Sequence, residues 1–408
     1  MLRPSTYLVL CACFAVSACE TSGPTATDAG SDAQSVDVPS SDALTPTDAV
    51  TPTDAVTPTD AVTPTDVVTP TDVVTPTDAG ACAPLATDYI PRSRMPSMPQ
   101  WPACASDDGT FVPNDMSIST IGRVRAFDQI DRDPAMMRAQ GFFDPTRDPS
   151  ADEFTAARVI YAQDNGLGSR VERRSDEHYP QPMVNDCQMA TVVTANPDYC
   201  VGPSRLLPVI NAAFAAGQTA TAGSSTRVFA ARIEAALLWF LYLSPYKESL
   251  TCTATPRDCD SAWAYYTAGQ YDPRAMEQYG LARRTLALEP ATHARVWDGL
   301  LAVRCWQQAE PMNAALRDRA RAQLDRALTR AIALVLLERV NRVASTAGAE
   351  RDAHFAFVKV MGPLFDRAAR AANPATADQL AAAFRGEDPA AFPAAMVSAA
   401  LQTLFPCP

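Results

Sequence analysis

Apolar residues recur every three to four positions over most of the chain after residue 115, which is the period of a helix packed on one face. The pattern predicts helices from near Ser117 to about Gln140, broken at Asp133-Pro134, and from Ala151 to Gln163, ending at Asn165-Gly166. Shorter helices or turns follow around Asp186–Thr194 and Ser204–Ala216. From Ala235 to Leu243 every residue is apolar or aromatic, so RVFAARIEAALLWFLYL has no solvent face and belongs inside a bundle, stopped or kinked at Pro245. Arg232 and Glu234 interrupt it, which argues against a membrane span of about 20 apolar residues. SAWAYYTAG and EPATHARVWDGLLAVRCW continue the helical pattern, and four of the five tryptophans fall between Arg227 and Trp306. Met312 to Ser345 reads as one long helix. Glu350 to Met361 follows, is broken at Gly362-Pro363 and resumes to Ala372; Thr376 caps a short helix ending at Gly386, and Pro393 opens the last one, to Phe405. No period-2 strand is present, so the expected fold is all-α: up-and-down helical bundles, one or two, the second case dividing as 82–220 and 221–408.

Residues 1–18 read as an export signal: Arg3, an apolar run from Tyr7 to Val16, and the small-residue end Val16-Ser17-Ala18. Cys19 then makes V-S-A-C, a bacterial lipoprotein signal, with ordinary secretion as the alternative. Residues 19–81 are a tether without Lys, Arg or aromatic residues, carrying T-P-T-D at Thr45, Thr51, Thr57, Thr63, Thr69 and Thr75. A proline every six residues forbids helix, and an aspartate in every copy keeps the segment solvated. A Glu at position 20 points to a bacterial outer membrane, with the acylated N-terminus in the bilayer. Removing the eleven tether acids and Arg3 from the chain's formal −12 leaves −2, which gives no electrostatic case for nucleic acid or an anionic surface.

Eight cysteines remain after the signal and Cys19: Cys82, Cys104, Cys187, Cys200, Cys252, Cys259, Cys305 and Cys407. An even set behind an export signal reads as disulfides; short loops suggest 82–104, 187–200 and 252–259, leaving 305–407. A four-cysteine zinc site is the competing reading, though no C-x2-C pair exists.

Catalytic motifs of the G-x-S-x-G, P-loop, Rossmann and H-E-x-x-H kinds are missing, and the chain has three histidines. His178 follows Asp176-Glu177, while Glu289 precedes His293 and Glu350 precedes His354 by four. Glu234 shares a helix face with Leu238 and Leu241, so it points inward and must be protonated, bound to a cation or paired with an arginine; 32 of the 34 basic residues are Arg. Carboxylate, imidazole and the phenols of Tyr242, Tyr246, Tyr265 and Tyr266 suit iron, making Glu234, Asp176, Glu177, His178, Asp260 and His293 candidate metal ligands. A core histidine at 293 and tyrosines that simply pack are the plainer alternatives.

GLGSRVERRSDEHYP (166–180), YLSPYKESLTC (242–252), CDSAWAYYTAG (259–269) and HARVWDGLLAVRCW (293–306) resemble the bacterial lipoprotein branch of the low-iron-inducible periplasmic, or iron-assimilation, family. The resemblance implies a surface-held helical protein, imelysin-like in general architecture, that assists iron uptake by binding iron or an iron complex without catalysis. The G-x-H-x-x-E motif of imelysins is missing, so no ligand set carries over. A surface interaction scaffold without metal is the alternative from a different class.

Overall fold

The computed structural model describes residues 83–407 apart from 98–99, 116, 133–140, 165, 222–224, 254 and 276. The signal, Cys19, the tether, Cys82 and the break at Asp133-Pro134 lie outside the described residues. Among the described residues the fold is all-helical, with no strand.

In chain order the α-helices are α1 (Ile118–Arg132), α2 (Ala151–Ala162), α3 (Gly168–Val171), α4 (Ala190–Ala195), α5 (Leu207–Gln218), α6 (Arg227–Thr251) and α7 (Pro256–Thr267). They continue as α8 (Gly280–Leu288), α9 (Pro290–Gln307), α10 (Ala314–Ser345), α11 (Gly348–Met361), α12 (Asp366–Ala372), α13 (Pro374–Arg385) and α14 (Ala394–Leu404). Local chemistry sets several starts. The Ser150 hydroxyl accepts the Glu153 N–H while Glu153 returns to the Ser150 N–H, a capping box. Asn313 caps α10, accepting from Ala315 and Leu316, and prolines open α7, α9 and α13 at their first turns. Thr376 is not the cap of α13: Pro374 begins that helix, and the Asn373 side chain accepts the Thr376 N–H at 3.1 Å.

Helix α6 is the axis of the fold and packs on α5, α7, α8, α10 and α11. It is long and apolar enough to cross a membrane by length and composition, but 83% of its most apolar window is buried inside the protein, as in a core helix. Pro245 does not stop it; the helix runs on to Thr251. An internal proline costs about 3 kcal/mol, and burial of the apolar run Ala235–Leu243 among five neighbours outweighs that. Its second partner, α10, also meets α9 closely: a Cβ on Gly299 would lie 2.7 Å from the Leu324 Cα, so only glycine permits this approach. The apolar core is continuous from Tyr89 to Phe405 and does not divide near residues 217–225. A small satellite of Cys187, Val192, Tyr199 and Cys200 stands apart from it.

Disulfides join 187–200 and 252–259, as short loops favour, but Cys104 pairs with Cys305 rather than with Cys82 or through a 305–407 bond. The reason lies in the segment before α1, which is laid across α9 and α10. Gln323 exchanges two hydrogen bonds with the Tyr89 backbone, at 2.8 and 2.9 Å, and the Trp297 indole donates to the Gly109 carbonyl at 3.0 Å. That path sets the Cys104 and Cys305 Cα atoms 5.4 Å apart, within bonding geometry. Cys407 is also disulfide-bonded, and its sulfur lies 3.4 Å from the Thr292 hydroxyl, so the C-terminus docks at the start of α9.

Candidate functional site

Glu234 is 1% exposed on α6 and faces α8 and α10. The Arg339 Nη2 reaches both carboxylate oxygens at 3.0 and 2.8 Å, and Arg284 adds a second ion pair to Oε1. Burial pushes the Glu234 carboxyl upward, opposed by the charges of Arg284 and Arg339. Neither guanidinium can lose its proton, so the cluster is one anion between two fixed cations. Of the three states open to an inward-facing Glu234, arginine pairing is the one present. A bare cation approaching this carboxylate would meet two positive charges first.

Arg339 extends the network. Its Nη1 lies 3.2 Å from the His354 Nδ1, its Nε lies 3.3 Å from Glu338, and its guanidinium stacks over Phe357 at 4.9 Å. A guanidinium only donates, so the His354 Nδ1 is the acceptor and its Nε2 carries the hydrogen, 3.7 Å from Glu350. Burial first, then Arg339 and Arg342, push His354 down to about 3, so it is neutral at ordinary pH. Beside Arg284, Arg283 lies 3.1 Å from both Asp128 and Asp131. Burial raises Asp128 to about 7 against the pull of its hydrogen bond from the Gly280 N–H.

Of these groups Asp131, Arg283, Arg284, Glu338, Arg339 and His354 line a cavity of about 910 Å³ between the end of α1, the 141–146 loop, α8, α10 and the start of α11, with Glu234 buried behind them. Five arginines border it: Arg132, Arg283, Arg284, Arg339 and Arg342. The buried Nε hydrogens of Arg283 and Arg284 have no hydrogen-bond partner among the described residues. Such a cavity is in the size range of small-molecule sites, and unspent guanidinium donors are what an oxyanion requires.

The other candidate ligands lie elsewhere. Asp176 is 2.6 Å from the His178 Nδ1 and Asp325 is 2.9 Å from its Nε2, with the ring stacked on Tyr246 at 4.2 Å. Burial alone would lower His178, but hydrogen bonds to Asp176 and Asp325 overcome it and push the group up to about 9. Glu177 accepts from Ser175 and Tyr199. Asp260, fully buried on α7, accepts the N–H groups of Asn114 and Asp115 at 2.8 Å each and so pins the chain before α1. His293 donates from Nε2 to the Pro273 carbonyl at 2.9 Å and accepts the Tyr266 hydroxyl at Nδ1, 3.0 Å away; burial lowers its pKa. Of the phenols, Tyr242 meets Thr329 and Tyr265 meets Arg174. Only Asp176 and His178 among the six candidates touch one another, and no group of three His, Cys, Asp or Glu arranged to hold a metal ion occurs among the described residues. The Glu289–His293 spacing is likewise put to another use, since Glu289 pairs with Arg330 at 2.9 Å.

The residues that sequence reasoning missed are the arginines. Arg283 and Arg284 form an adjacent pair on a short amphipathic helix, and Arg339 sits on the inner edge of α10. Their number was visible, but not which ones turn inward. Comparison of the chain with family models, with curated proteins and with solved structures finds no match.

Proposed function

We propose that this chain is an exported, lipid-anchored binding protein of the bacterial outer membrane that assists iron acquisition, without catalysis, by holding iron as an anionic complex in the arginine-lined cavity. The V-S-A-C signal, the tether and the resemblance to the iron-assimilation family support the cellular role. The cavity over Glu234 carries the molecular reading, because it offers guanidinium donors to an oxyanion and no three-ligand cage for a naked ion among the described residues. Iron is thus cargo, with its ligands supplied by the small molecule that brings it.

The test is equilibrium binding of a ferric hydroxycarboxylate complex to the purified mature chain, followed by tryptophan fluorescence and by metal content after gel filtration. The wild type is expected to retain iron with the complex, and Arg342→Gln, at the cavity wall, to weaken retention at least tenfold. No iron retained by the wild type would remove the iron reading and favour an interaction scaffold, to which the tether is equally suited.

A further inference from the structure

We infer that the cavity recognises a metal-free polycarboxylate, the chelator itself, through guanidiniums held on three helices. This rests on the binding reading above but does not require iron. The charges on the inner wall do not cancel. Glu234 serves Arg284 and Arg339 together, and Glu338 serves Arg339 and Arg342, so three cations share two anions there. Arg132, at the end of α1, is exposed at the cavity edge, where its charge acts on Asp128. Around the whole lining five arginines face four acids, Asp131, Asp144, Glu338 and Glu350; Asp131 shares Arg283 with Asp128, Asp144 accepts the N–H and hydroxyl of Thr146, and Glu350 lies beside the His354 ring.

The arrangement favours several carboxylates over one compact oxyanion. Guanidinium and carboxylate meet as planar forks, and each fork needs its own partner. Arg132, Arg284 and Arg342 project from α1, α8 and α10, three separate walls of a roomy cavity. A single phosphate would satisfy one wall, whereas a short molecule bearing three carboxylates can address all three. Glu234 is a positioning residue in this scheme: by holding the Arg284 Nη2 from behind the cavity wall it fixes the guanidinium on α8, where Arg284 borders the cavity.

Isothermal titration of the chelator-washed mature chain with citrate as the probe, at low and at physiological salt, tests this. Citrate is expected to bind, weakening with salt, and inorganic phosphate to bind at least tenfold more weakly. Arg132→Gln/Arg342→Gln alters only exposed side chains and should cost citrate at least tenfold while leaving the ligand-free melting temperature unchanged; Arg284→Gln should cost more. No citrate binding, phosphate binding as tight as citrate, or an unaffected double variant would each overturn the inference. The two readings fail separately. Citrate bound without retention of the ferric complex leaves this inference standing and removes iron, while a ferric complex bound without any citrate binding does the reverse.

Discussion

Two buried charge clusters sit on the same two helices, α6 and α10, and they are built to opposite ends. Around His178, one cation lies between two carboxylates, Asp176 and Asp325, with Tyr246 against the ring face and both ring nitrogens engaged. Around Glu234 one anion lies between two cations, Arg339 and Arg284, beside a cavity, with guanidinium hydrogens left over. The first cluster is closed: it ties the 174–181 segment to the bundle and has nothing to offer a ligand. The second is open. The lesson is that composition alone, carboxylate next to cation, does not mark a site; unspent donors beside empty volume do.

The largest expected effect tests whether Glu234 is the keystone of the open cluster. Glu234→Ala leaves two buried guanidiniums facing each other, and removing one partner of a buried ion pair costs about 3–5 kcal/mol. Asp325→Asn, on the closed side, keeps a hydrogen-bond acceptor at a position whose side chain is 30% exposed, and should cost about 1 kcal/mol. Urea denaturation of both variants measures the difference. Equal losses would erase the asymmetry drawn here.

A second test uses pH. His178 has a folded pKa of about 9 against about 6.5 when free, so the folded state holds its proton more tightly. Its contribution is complete below about pH 6.5, declines as pH rises and is gone above about 9; at ~1.4 kcal/mol per unit it is on the order of 3 kcal/mol. Wild-type stability should therefore fall between pH 7 and 9.5, and His178→Gln should flatten that limb. A variant that retains the wild-type slope would show that the clamp is not where the alkaline loss arises.

How much of this was legible beforehand follows a physical line. Local signals were readable: the helical periods, and the 187–200 and 252–259 bonds, where few residues separate the cysteines. Glu234 pointing inward was readable too, because Leu238 and Leu241 fix that face of α6. What depended on long-range packing was not. Cys104 finds Cys305 across 201 residues because the segment before α1 is laid over α9, and no spacing encodes that. Arg339 lies 105 residues from Glu234, one of 32 arginines with nothing in its immediate neighbours to single it out. Of the two effects expected of Pro245, a stop does not occur: its local cost is real, but tertiary burial of α6 carries the helix past it to Thr251. Of the candidate metal ligands, Glu234, Asp260 and His293 lie apart from one another and from the 176–178 run, a separation that only the packed helices determine.

The smallest expected effect within an accessible pH range belongs to His354, the histidine of the open cluster, and its sign is opposite to that of His178. In the unfolded chain it takes a proton below about pH 6.5. In the fold, burial and the neighbouring Arg339 and Arg342 delay protonation to about 3. Between those values the unfolded state binds more protons, so stability falls as pH drops. From pH 6.5 to 5, before most carboxylates titrate, the loss should approach about 2 kcal/mol at ~1.4 kcal/mol per unit. His354→Asn keeps an acceptor for Arg339 and does not titrate, so it should lose about 2 kcal/mol less than the wild type over the same interval, the remaining slope being that of His293 and, with opposite sign, Asp128. If His354→Asn loses as much stability as the wild type over this interval, the imidazole is not the group that Arg339 and Arg342 hold neutral, and the hydrogen-bond direction assigned to Nδ1 is wrong.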